Sequence, residues 1–228
     1  MEFAFAPPPV VSISVAGGGA RFPVRRIFCI GRNYADHAKE MGATVDRGYP
    51  VFFCKPADAV VADQSKIPYP QATSELHHEV EMIVALRSGG MDIGIDKALA
   101  CVFGYGVGLD LTRRDLQAAA KAKGMPWDTA KAFDQSAPVS SIHRADDVGH
   151  PQRAALTLQV NGQVRQNSDI AQMIWSVPEI IAELSGLFEL EPGDLIFTGT
   201  PAGVGPLARG DRFHASLQGI AKLEGFVS

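Results

Sequence analysis

The sequence predicts an α+β fold rich in strands. Short apolar runs that alternate in polarity or end at glycine recur along the chain, turn signals separate them, and only a few stretches have helical composition. With 228 residues the chain is long enough to bury a substantial core as one large domain. Hydrophobic residues make up 46% and charged residues 20%, a globular balance that excludes a disordered chain.

The first 22 residues read as an arm: Pro7 to Pro9, then VVSISV, then Gly17-Gly18-Gly19 suggest an extended segment or a short hairpin before a single main domain over 23–228. VRRIFCI, Val24 to Ile30, predicts a strand ending at Gly31, and a short helix follows over Tyr34 to Met41, with Gly42 to end it. Val51 to Cys54 and Val60-Val61 are strand-like. His78 to Leu86 fits a strand entering a core, and Ala98 to Leu109 is apolar and spaced with glycine. Asp115 to Lys123 has helical composition and stops at Gly124. Ala155 to Val160, Asn161-Gly162 and Gln163 to Arg165 form a hairpin signal, because Asn-Gly suits a two-residue primed turn. Ser176 and Glu179 predict a capping box, and Ile180, Ile181, Leu184 and Leu187 supply the buried stripe of the helix it opens.

Charge and composition exclude several function classes. Lys and Arg total 21 against 25 Asp and Glu, a formal net charge of -4, and no basic run offers a footprint for nucleic acid. The start, MEFAFAPPPVV, lacks a basic n-region, and no segment is apolar enough to span a bilayer, so a cytoplasmic location is expected and no membrane partner. Cys29, Cys54 and Cys101 form no CxxC pair and read as reduced, buried thiols.

Four groups of residues carry chemistry. On a strand, Glu79 and Glu81 in HHEVEMIVAL point to one face, and two like charges there require a cation or solvent. A solvated strand edge would also account for the pair, but Asp110 closes an apolar run, GYGVGLD, where an isolated carboxylate is out of place. Three carboxylates without paired thiols favour a hard ion, Mg²⁺ or Mn²⁺, over zinc. His77 and His78 read as supports, not ligands. GYGVG itself lacks the third glycine of a dinucleotide-binding loop.

His37 and Glu40, three apart on the predicted helix, share a face, so Glu40 can orient the imidazole as a general base; a surface pair is the alternative. Arg114 and Gln117 are likewise three apart, and Lys131 follows in MPWDTAK. These groups could hold an anionic substrate and an oxyanion, or form structural ion pairs. The three glycines of FTGTPAGVG let backbone N–H groups approach an anion, or simply make a tight turn.

Together GRNYADHAKEMG, PVFFCKPADAVV, HHEVEMIVAL, GLDLTRRDLQ, KGMPWDTAKAFD and FTGTPAGVG resemble the fumarylacetoacetate hydrolase family, in its branch of short acylpyruvases. They stand in the family's order over most of 22–213. The resemblance implies a rolled, mixed β-sheet with a few peripheral helices, the main domain being catalytic. It implies Mg²⁺, or Mn²⁺, on Glu79, Glu81 and Asp110, and a His37–Glu40 dyad on a lid helix. Catalytic roles for Lys131 and Gln117 and substrate contacts at Arg32, Arg114 and Thr200 come with it, as does a homodimer. The implied reaction is hydrolysis of the C–C bond of an acylpyruvate. Fumarylpyruvate, giving fumarate and pyruvate as in gentisate breakdown, is the expected substrate. Acetylpyruvate hydrolysis or oxaloacetate decarboxylation on the same scaffold are the alternatives, and a non-catalytic binder of 2-oxo acids would have no use for the dyad. A distal carboxylate on the substrate needs a donor; Arg47, in the loop after the lid, is the first candidate, with Arg32 and Lys55 as others. An exposed loop arginine facing water is the simpler account of Arg47.

Overall fold

A computed structural model describes residues 3–40 and 47–228, and two packed sheets dominate it. The larger runs in the order His143–Arg144, Val102–Leu109, Val80–Leu86, Asp194–Phe197, Arg26–Gly31, Val51–Lys55. Its neighbours are antiparallel except Asp194–Phe197 beside Arg26–Gly31, which are parallel. The second runs Gln163–Asp169, Ala155–Val160, Arg212–Leu217, Ala221–Val227, Ser65–Ile67, with only the last pair parallel. Mixed sheets with peripheral helices are the strand-rich α+β fold that the sequence predicts.

The central strand explains how the layers stack. Val80, Met82, Val84 and Leu86 pack into a core shared with Leu156, Leu158, Leu217 and Leu223 of the second sheet. Ile83 and Ala85 face the other way, into a cluster with Ile27, Cys29, Leu195 and Phe197. Because both faces are covered, the strand reads as an unbroken apolar run from Met82 to Leu86. Ile13, Val15 and Phe22 close the second cluster: Ser12–Ser14 pairs with Arg21–Pro23, and the Ala16 N–H donates to Ile142 O at 2.9 Å. GYGVG serves this packing, since a Cβ on Gly104 would stand 2.1 Å from His143 O and push the neighbouring strand away.

Local signals hold in detail, with three departures. Asn161 and Gly162 have φ of 52° and 77°, as a primed turn requires, and Ser176 and Glu179 form the reciprocal capping box at the start of the helix Val177–Leu187. Leu187 does not join the buried stripe: it is 64% exposed, because the core has ended at the helix's last residue, where Phe188 is also 37% exposed. Cys54 is exposed, since it lies on the outward side of the edge strand Val51–Lys55, alternating with buried Lys55. The strand expected from His78 breaks at Glu79. Leu76–His78 instead joins a small sheet with Thr112–Arg113 and Gly205–Pro206. The predicted first helix spans Ala35–Glu40, and its expected end at Met41 and Gly42 lies outside the described residues. Among those residues, no helix is long and apolar enough to cross a membrane.

Candidate active site

The break at Glu79 builds the site. Where the chain passes from one sheet to the other, Glu79 O accepts from the Asp110 N–H at 2.9 Å, and Glu81 pairs in register with Gly108 on the neighbouring strand. The carboxylates of Glu79, Glu81 and Asp110 are therefore brought together, all buried, with one oxygen of each within 4.8 Å of the others. They form the floor of a cleft that is also lined by Arg32, His37, Arg114, Gln117, Lys131 and Thr200. Nine of the twelve residues expected at the site thus meet in one place; Glu40, Arg47 and Lys55 do not line the cleft.

Three cations neutralise the floor from within. Lys131 Nζ donates to Glu79 Oε2 at 2.9 Å, to Asp110 Oδ2 at 2.6 Å and to Thr112 Oγ1 at 2.7 Å, which uses all three of its protons. Arg114 donates to Glu79 Oε1 and to Gln117 Oε1, leaving the Gln117 amide N–H₂ open to the cleft. Lys55, only 1% exposed, stands 2.8 Å from Asp110 Oδ1 and donates to the backbone oxygens of Leu111 and Lys131. Asp110 Oδ1 accepts no hydrogen bond despite this short contact, so the pair is ionic and poorly aligned.

These charges divide the carboxylates. Burial alone would raise Glu79, but Lys131 and Arg114 outweigh it and hold its carboxyl well below the usual range. Glu81 is pushed well up by burial and by repulsion from Asp110 and Glu79; it accepts one bond, from the Gly199 N–H to Oε2, at 2.6 Å. Lys131 is raised overall, burial being outweighed by Asp110 and Glu79. Glu81 is the one floor carboxylate with no ion-pair partner among the described residues, a local deficit of positive charge. An all-oxygen, buried set with that deficit, and with an Asp110 oxygen lacking a hydrogen bond, fits a hard divalent cation.

His37 is buried and faces the cleft, with Nδ1 3.4 Å from Glu40 Oε2. Glu40 does not line the cleft; its carboxylate accepts from the Gly203 N–H at 3.2 and 3.3 Å. The glycine-rich segment therefore does offer backbone N–H groups to anions, and these anions are the protein's own Glu81 and Glu40. Gly199, at φ 91°, takes a conformation that side chains rarely adopt, and a Cβ there would meet Asn33 Cβ at 2.6 Å.

His77 and His78 are supports, as expected. Burial, then the Arg114 and His78 charges, push His77 down to about 4, so it is neutral near pH 7 and its Nδ1 accepts from Arg114 Nε at 3.4 Å. Burial likewise lowers His78, whose Nδ1–H donates to Gln166 Oε1 at 3.0 Å. The Gln166 amide is fixed by the Val80 N–H and by Pro201 O, and it donates to Thr200 Oγ1 at 2.8 Å, leaving the hydroxyl proton to the cleft.

Two candidates for a distal carboxylate lie elsewhere. Lys55 is behind the carboxylates, buried, and does not line the cleft. Arg47 pairs with Glu179 and lies 4.8 Å from the Trp175 ring centroid, also outside the cleft lining. Lys121, Phe53 and Trp127 line the cleft without having been singled out. Lys121 had a signal: with Arg114 and Gln117 it stands at i, i+3 and i+7 of the helix Arg114–Ala122, hence on one face. Lys55 had one too, as a lone charge ending the apolar run VFFC. Gln166 had none, being a glutamine in an otherwise solvated hairpin strand.

Fold and site together define a protein of the fumarylacetoacetate hydrolase class: the family model described as fumarylacetoacetate (FAA) hydrolase C-terminal matches residues 26–228, and the chain belongs to this family. Among solved structures, it is similar to fumarylpyruvate hydrolase from Pseudomonas aeruginosa in complex with Mn²⁺ and pyruvate. That likeness has a TM-score of 0.97 and 50% identity over 99% of each chain. Oxaloacetate tautomerase FAHD1 of Mus musculus is 43% identical over 199 residues, 87% of this chain and 90% of that protein. Oxaloacetate tautomerase YcgM of Escherichia coli K12 is 42% identical over the same share of each.

Proposed function

We propose that this protein is a divalent-metal-dependent acylpyruvate hydrolase that converts fumarylpyruvate and water to fumarate and pyruvate, the step expected in gentisate breakdown. The observation that carries this is the buried His37, backed by Glu40, facing the same cleft as the three carboxylates. Decarboxylation, which activates no water, has less use for such a base. The 50% identity to a fumarylpyruvate hydrolase along nearly the whole chain points the same way.

Mg²⁺ or Mn²⁺ held by Glu79, Glu81 and Asp110 would supply Lewis-acid charge against the 2-oxo acid end of the substrate. His37 takes a proton from water, whose oxygen adds to the C4 carbonyl, and Glu40 keeps the imidazole oriented as it becomes charged. The Gln117 amide donates to the oxyanion that forms. Lys131 joins it once a carboxylate is drawn from its ammonium, because in the arrangement described above its three protons are committed. The C3–C4 bond then breaks, its electron pair passes to the pyruvyl fragment, and that fragment takes up the proton from His37. Arg114, Thr200 and Arg32 bind substrate oxygens. A homodimer is the expected assembly, to be read from its mass in solution.

The names of the tautomerase relatives favour a second reading, enol–keto conversion of oxaloacetate, which needs a proton relay but no water. Fumarylpyruvate, acetylpyruvate and oxaloacetate should be assayed side by side, with Mg²⁺, with Mn²⁺ and with chelator. Metal-dependent cleavage of fumarylpyruvate as the fastest reaction is the expected result. Rapid oxaloacetate conversion with no C–C cleavage would overturn the hydrolytic reading.

A further inference from the structure

The cations of the cleft fall into two sets. Lys55, Lys131 and Arg114 are consumed by the carboxylates of the floor. Arg32 and Lys121 line the same cleft, are exposed, and have no anionic or hydrogen-bonding side-chain partner among the described residues. Among the described residues, the carboxylates lining the cleft are the three on its floor, and none of them pairs with this second set.

We infer that Arg32 and Lys121 form an anion subsite at the outer end of the cleft, which selects 2-oxo acids carrying a second carboxylate. This rests on the proposed function for which end of the substrate sits on the floor. The chain places the two residues on different walls. Arg32 follows the strand Arg26–Gly31 directly, at φ 59°, ahead of the helix that carries His37. Lys121 is two turns along from Arg114 on the helix Arg114–Ala122. Phe53 and Trp127 also line the cleft, half-buried where the floor is buried and the two cations are exposed, and give it an aromatic wall. Phe53 and Trp127 meet edge-on with centroids 6.0 Å apart, and Lys131 Nζ lies 5.0 Å from the Phe53 ring on the inner side. Trp127 reaches toward Gly31, where a Cβ would be 4.0 Å from its Cζ3, next to Arg32. Floor, apolar wall and outer cations match, in order, a chelating 2-oxo acid, an apolar carbon chain and a distal carboxylate. A substrate ending in a methyl group would leave both outer cations unanswered.

The test uses two unreactive seven-carbon probes, 2-oxoheptanedioate and 2-oxoheptanoate, which differ only in the distal carboxylate and lack the C4 carbonyl. Calorimetry on the Mg²⁺-loaded protein should show the diacid binding tighter by about tenfold or more, the range of a charge-assisted contact. Arg32→Gln and Lys121→Gln should each cut that ratio severalfold, the double variant should bring it near one, and Lys121→Glu should favour the monoacid. Equal binding of both probes by the unmutated protein, or a ratio that survives in the double variant, would overturn the subsite. Turnover separates the two proposals: if the ratio follows the two cations yet fumarylpyruvate is not cleaved, the subsite stands and the hydrolytic reading falls. If fumarylpyruvate is cleaved while the ratio ignores both residues, hydrolysis stands and the subsite falls.

Discussion

Lys55 Nζ lies 2.8 Å from Asp110 Oδ1, and neither side chain is more than 1% exposed. From the other side Lys131 Nζ donates to Asp110 Oδ2 at 2.6 Å, so one buried carboxylate stands between two ammonium groups. Removing one partner of such a pair leaves the other charge unanswered in a poorly polarisable interior. Lys55→Met is therefore expected to destabilise the protein by about 3–5 kcal/mol, the range for a broken buried pair. Urea unfolding measures this, and a loss under ~1 kcal/mol would mean that Lys131 alone suffices for Asp110.

Glu81 gives a prediction of the opposite kind. Its charge is disfavoured by burial and by Asp110 and Glu79, and a cation relieves all three effects. Mg²⁺ or Mn²⁺ at a hundred times its Kd should stabilise the fold by about 2.7 kcal/mol. Glu81→Gln keeps an acceptor for the Gly199 N–H and removes the repulsion, so stability without metal should change by less than ~1 kcal/mol. The same variant should lose the metal-dependent rise and turnover. Thermal unfolding with metal and with chelator reads both. An unchanged metal-dependent rise in Glu81→Gln would remove Glu81 from the ligand set.

His37→Ala should lower hydrolysis of fumarylpyruvate by about 10²–10⁴-fold, the range for losing a general base. Decarboxylation of oxaloacetate, where the protein shows it, should fall much less, since no water is activated. Parallel losses in the two rates would assign His37 to binding or to closure of its helix.

The sequence made legible what periodicity and local chemistry control. Glu79, Glu81 and Asp110 were visible because strand alternation and a charge ending an apolar run are local signals, and the Asn161-Gly162 turn and the Ser176 capping box are local too. The glycine-rich segment reads either as an anion contact or as a tight turn, and local sequence does not decide between them, because the partners of its N–H groups, Glu81 and Glu40, come from distant parts of the chain. Lys55 was misplaced for the same reason: its strand has two faces, and only tertiary packing tells which one meets Asp110. Arg47 is a candidate only for its position after the helix, with exposure to water as the simpler account, and neither reading finds Trp175 and Glu179, over a hundred residues away, which hold it. Gln166 was illegible, as its four contacts are all long-range.

Gly203 offers the most specific check on the dyad. Its N–H donates to the Glu40 carboxylate at 3.2 and 3.3 Å, its φ is 92°, and a Cβ there would stand 2.2 Å from Arg165 O, a backbone atom that cannot swing aside. Gly203→Ala must therefore shift the backbone and draw the amide away from Glu40, at a stability loss on the order of 1–3 kcal/mol. A freed Glu40 holds His37 less well, so kcat for fumarylpyruvate should fall by about tenfold or more, with a smaller change in KM. Glu40→Gln keeps an acceptor for Gly203 but no charge for His37, and should lower kcat by a similar factor. If Gly203 acts through Glu40, the two losses are not additive, and adding Gly203→Ala to Glu40→Gln should lower kcat by less than about threefold. Kinetics of the two single variants and the double variant decide it. Losses that multiply would show that Gly203 shapes the cleft independently of the dyad.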